Sequence, residues 1–123
     1  MRKATIFLLA IAISCPMLIS SAPAVTKDTQ SSEAAEQILL RLLFQPVHDA
    51  IEAYYGAPRQ YWRDKILRIR NVPNSPYYEV ILQAETFYGP HNPPYGIETM
   101  TFYVKYGSVE LKKFEHREDR EEG

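Results

Sequence analysis

The side chains best able to do chemistry here, His91 and Glu98, lie in or just beyond one segment, Tyr88-Gly-Pro-His-Asn-Pro-Pro-Tyr-Gly96. An imidazole titrates near neutral pH and can take a proton, hold a metal or bond a ligand. A carboxyl group beside it would complete an acid–base or metal-assisted hydrolase. The same residues have plainer uses: a loop histidine bonds its own backbone, and Asn92 closes a side-chain turn. A metal would need more ligands, and only Glu98 and His116 are offered, without a recognised spacing. Glu85 and Glu98 form the one carboxylate pair, but alternation sends Glu85 to the wet face of its strand. The chain has no Gly-x-Ser-x-Gly, His-Glu-x-x-His, phosphate loop or dinucleotide glycine fingerprint. The expectation is therefore no catalytic set, no metal set and no cofactor.

Three prolines fix φ in this segment and its glycines admit positive φ, so it is stiff. A nine-residue connection is long for a hairpin, which needs two to five. A meander would bring it to the same end of the sheet as the connection Gly56–Tyr61. Arg59, Gln60, Tyr61, Trp62, His91, Asn92 and Tyr95 would then converge, with Glu98 at the mouth of its strand and His116 near. From this set, Arg59, Tyr61, Trp62, His91, Asn92, Tyr95 and Glu98 are the predicted binding residues. Arg59 could clamp an anion, pair with Glu98 or cap helix carbonyls. Tyr61 and Tyr95 could stack on a sugar or peptide, or simply line the rim of a sheet.

The elements that must position them are legible by period. Ser32 is the predicted N-cap of a helix, with Glu33 and Glu36 in its first turn. Positions 35, 38, 39, 42, 43, 46, 47, 50, 51 and 54 are all apolar at helical spacing, a face that must be buried. Pro46 interrupts it and predicts a kink, or two segments with Pro46 in the first turn of the second. Gly56 is the stop. Strands are predicted at Arg63–Val72 (an edge, from its imperfect alternation), Tyr77–Phe87, Ile97–Tyr106 and Val109–Phe114. Such alternation marks an antiparallel sheet wet on one side. The fold class is α+β: an N-terminal long, Pro-kinked helix on a four-stranded antiparallel meander sheet.

The ends and the composition bound the setting. Arg2 and Lys3, the apolar run Ile6–Ile13 and the small residues of Ala22-Pro23-Ala24 read as a signal peptide over 1–24. The run is too short for a stable membrane span, which takes about 20 apolar residues. The sole cysteine, Cys15, falls inside this signal; Ala12-Ile13-Ser14-Cys15 is like a lipoprotein box with Ala in place of a bulky aliphatic residue. Cleavage after Ala24 would leave no thiol, hence no disulfide or thiolate site. It would also leave 12 basic residues (14 less Arg2 and Lys3) against 15 acidic. That balance argues against a nucleic-acid partner, and the cluster Arg63, Lys65, Arg68, Arg70 reads as a solvated strand face. The expected organisation is a signal peptide 1–24, a tether 25–31, one domain 32–116 and a charged tail 117–123.

Tyr54-Tyr55-Gly56-x-Pro58-Arg59-Gln60-Tyr61 followed by Gly89-x-His91-Asn92-Pro93-Pro94-Tyr95-Gly96-x-Glu98-Thr99 resembles domain of unknown function 3888. The likeness runs from Ala35 to His116. It implies a small exported or envelope-associated protein of spore-forming Gram-positive bacteria and carries no catalytic residues. The function read from all this is an exported non-enzymatic domain, secreted or held at the cell envelope. It would bind an envelope component or protein through the 56–62 and 88–98 end. The alternatives are a hydrolase using His91 and Glu98, and an inhibitor of a protease or wall hydrolase.

Overall fold

The computed structural model describes Pro16 and residues 27–120; apart from Pro16, the expected signal segment lies outside the described residues. Helices α1 (Lys27–Leu42) and α2 (Phe44–Tyr55) precede strands β1 (Gln60–Asn71), β2 (Tyr78–Tyr88), β3 (Asn92–Lys105) and β4 (Ser108–Asp119). The strands form one antiparallel sheet in the order β1-β2-β3-β4. The α+β class, the four-stranded meander and the edge position of β1 are as expected from alternation. No helix among the described residues is long and apolar enough to cross a membrane.

The single long helix is corrected to two. Pro46 has no N–H for the Leu42 carbonyl, and the chain breaks at Leu43 (φ −85°, ψ 0°). Pro46 falls in the first turn of α2, where its missing donor is harmless. The buried face runs on across the break at helical spacing, but it is narrower than the expected stripe and lies toward Leu40 rather than Leu42. Leu43, Val47, Ala50 and Ile51 of the expected stripe are buried, but Leu42 is 72% exposed while Leu40, outside the stripe, is 5% exposed. The helix also starts at Lys27 rather than at Ser32, so most of the expected tether is its first turns. Gly56 ends α2 in the left-handed region (φ 71°), its N–H bonded to the Glu52 carbonyl at 2.8 Å.

The core is the sandwich of α2 on the sheet: Leu43, Val47, Ala50 and Ile51 against Val80, Leu82, Ala84, Met100 and Phe102. Burying each large side chain here contributes about 1.5–3 kcal/mol. Phe44 of α2 meets Tyr61 of β1, and Tyr54 stacks on Phe114 of β4, so α2 crosses the sheet from one edge to the other.

The largest departure from expectation concerns the proline segment. It is not a nine-residue loop, because Tyr88 still pairs with Asn92 and Thr86 with Gly96. Only Gly89, Pro90 and His91 turn, with Gly89 (φ 46°) and His91 (φ 62°) both in the left-handed region. Pro93, Pro94 and Tyr95 stand opposite Phe87 alone, a bulge that absorbs the prolines without ending the strand. The Pro93–Pro94 bond is cis. At the other end β4 continues to Asp119, which pairs with Tyr95, so the first residues of the expected charged tail are strand.

Candidate functional site

Both marked connections do reach one end of the sheet: Arg59 Nη2 donates to the Pro94 carbonyl at 2.6 Å. Partners across a ladder share a face and neighbours along a strand alternate. Tyr61, Thr86, Gly96, Glu98 and His116 therefore fall on the helix face, in phase with Ala84 and Met100. Trp62, Glu85, Ile97, Tyr95 and Asp119 fall on the open face. The predicted binding residues are gathered at one rim but divided between two sides of the sheet.

On the helix side Glu98 is 0% exposed. It is the seventh residue of β3 rather than its mouth. The Tyr55 hydroxyl donates to Oε1 in a very short hydrogen bond, and the Thr86 hydroxyl donates to the same oxygen at 3.0 Å. His116 Nδ1 lies 2.8 Å from Oε2 and 3.0 Å from Oε1. Burial, then the bond to Glu98, push the Tyr55 hydroxyl up to about 12. Burial, with Asp64 adding to it, likewise pushes Tyr61 up to about 12. Gly96 is required above this knot: a Cβ there would stand 2.5 Å from Thr86 Oγ1 and 2.7 Å from Tyr55 Oη, and closer still to Glu98 Oε1. The group ties the last turn of α2 to β2, β3 and β4.

Arg59 is 5% exposed. Its guanidinium lies 4.3 Å from the Tyr55 ring centroid and 4.0 Å from that of Tyr88, a double cation–π clamp. It neither pairs with Glu98 nor caps the helix; its acceptor is the Pro94 carbonyl, so it holds the bulge to α2.

The open side is built of rings. His91 sits 4.2 Å from Trp62 and 4.3 Å from Phe87, centroid to centroid. The Tyr95 hydroxyl donates to the His91 carbonyl at 2.7 Å, and the His91 N–H donates to the Gly89 carbonyl at 3.0 Å. Asn92 serves as the ladder partner of Tyr88. Beside the rings Arg63 reaches Glu85 at 3.3 Å, and a small cleft of about 120 Å³ is walled by Trp62, Arg63, Glu85, Tyr95 and Asp119. Trp62 Nε1 is buried without an acceptor among the described residues.

His91 and Glu98 are thus on opposite faces, and the partners of Glu98 are Tyr55, Thr86 and His116. Sequence reading placed His116 near and missed Tyr55 and Thr86. The signal was present: Glu98 is in phase with Met100 and Phe102, and Thr86 with Leu82 and Ala84, so both are polar residues on an apolar stripe. Among the described residues no three His, Cys, Asp or Glu side chains are grouped as metal ligands would be.

Fold and site together define a small α+β domain with one helix-covered sheet and an aromatic rim. The chain belongs to the family described as Protein of unknown function (DUF3888), whose model matches residues 35–118. No curated protein and no solved structure matches it.

Proposed function

We propose that this is an exported, non-enzymatic domain that binds an envelope component or a protein through the open side of its 56–62 and 88–98 end. The observation that carries the reading is Trp62. Its ring is fixed by His91 and Phe87 and helps wall a small cleft, and its buried Nε1 has no acceptor among the described residues. Buried indole N–H groups ordinarily find a partner. An amphipathic ring with a spare donor next to tyrosine and an ion pair suits a sugar or an extended peptide.

Export rests on the tripartite pattern of residues 1–24, and the Gram-positive envelope setting on the resemblance stated for the loop motifs. The non-enzymatic reading is supported by the closure of Glu98 on its own neighbours. The test is retention of the purified domain on envelope fractions. Trp62→Phe keeps the ring and removes the donor, and His91→Ala removes the stacked ring. Both should weaken retention while the melting temperature stays near that of the parent. Retention unchanged in both variants would end this reading, as would wall hydrolysis by the parent domain.

A further inference from the structure

We propose that the cleft between α2 and the β2–β3 hairpin, on the other side of the rim from Trp62, is a receptor for a small oxyanion, carboxylate or phosphate, held by Arg59 and His48. The inference rests on the reading that this end of the molecule binds, and it names the ligand chemistry.

The cleft has a volume of about 320 Å³, and its wall includes His48, Arg59, Gln60, Tyr88 and Gly89 but no acidic residue. Arg59 is the buried cation of this wall, at 5% exposure. Burying a charge is costly unless it is paired. Yet none of the ion pairs among the described residues includes Arg59. Its Nη2 is taken by the Pro94 carbonyl, and its Nε is buried with no acceptor. The rings of Tyr55 and Tyr88 hold the guanidinium, so the donors left to it lie in its own plane. Planar, two-point approach is how guanidinium groups bind carboxylate and phosphate.

His48 supplies a second polar group, an imidazole nitrogen that donates when it carries the proton. Its Nδ1 is also buried without an acceptor. Glu52 Oε2 stands 3.9 Å away, beyond hydrogen-bond reach, and is not part of the cleft wall. Two unpartnered nitrogens on residues lining one cleft, one of them on a clamped cation, describe a missing acceptor with negative charge.

The experiment follows the Arg59 Nε–H resonance and the melting temperature of the purified chain during titration with sodium acetate and with sodium phosphate. Acetamide and sodium chloride at matched ionic strength are the controls. The expected result is a saturable shift with at least one oxyanion and a rise in melting temperature. The phosphate and acetate arms decide between a phosphorylated and a carboxylated source. Arg59→Lys should weaken binding about tenfold or more, because the in-plane donors are lost while the charge remains. That variant also disturbs the Pro94 contact, so His48→Phe, which leaves the contact intact, must weaken binding as well. Acetate and phosphate behaving like chloride would overturn the proposal, as would affinity unchanged in either variant. Envelope retention that needs Trp62 but persists without any oxyanion response would sink this inference alone. An oxyanion response in a domain that never binds envelope fractions would support the receptor and sink the earlier reading.

Discussion

Ile97 and Glu98 are adjacent, yet they look into opposite kinds of chemistry. Beneath Glu98, Tyr55, Thr86 and His116 close on one carboxyl group with no room even for a methyl on Gly96. On the Ile97 side, Trp62, His91 and Tyr95 form a ledge that still carries an unused donor. A buried polar group whose bonds are all made within the molecule holds the fold; one whose bonds are left open is available. The difference separates the residues that keep the rim in place from those free to meet a partner.

That contrast is most directly broken at Glu98. Replacing it with alanine leaves the buried Thr86 hydroxyl and two part-buried partners, Tyr55 and His116, facing a cavity, and the expected loss is about 3–5 kcal/mol by urea unfolding. A loss under about 1 kcal/mol would mean the cluster is not what joins α2 to the sheet. Gly96→Ala should follow at about 1–3 kcal/mol, the usual cost of overpacking, since Thr86 and Tyr55 must both give way.

Tyr55 sharpens the same side by pH. With its folded pKa raised from 10.0 to about 12, the protonated hydroxyl is favoured in the native state. Its contribution is fully present below pH 10 and is lost as pH rises through about 12. Tyr61, raised likewise to about 12, adds to the same alkaline fall. Unfolding curves of Tyr55→Phe should be lower at neutral pH, yet decline less steeply between pH 10 and pH 12 than those of the parent.

The smallest stability effects belong to the ledge. His91→Gly should change stability by no more than about 1 kcal/mol, because relief of its positive φ offsets the lost ring contacts. Trp62→Phe should shift it by about 1 kcal/mol or less, because the ring is kept and the unpartnered buried N–H is removed. A loss on the Glu98 scale at either position would make the ledge a structural prop and collapse the distinction between the two sides.

Much of this architecture was written in local pattern. Alternation in β2 and β3 made the antiparallel meander legible, since period-two burial needs only neighbouring residues. Gly56 and Pro46 marked helix ends by their own backbone limits. The proline-rich segment misled because prolines read as loop, whereas a bulge beyond the last β4 pair at Tyr95 lets Pro93 and Pro94 ride along the ladder between Thr86 and Tyr88. The helical stripe misled around Leu42 because the face that packs runs through Leu40, Leu43 and Val47, and apolarity alone does not say which side of a wide stripe is covered.

From the residues alone came the class of fold, the number of strands, the end of the sheet where the unusual side chains gather, and the family-specific motifs. Only the tertiary structure decided on which side the residues at the turn and bulge fall, and what each of the gathered side chains touches. One residue of register, or one bulge, carries a side chain from one face to the other. Hydrogen bonds such as Glu98 to Tyr55, or Arg59 to Pro94, join positions far apart in the chain that no local period connects.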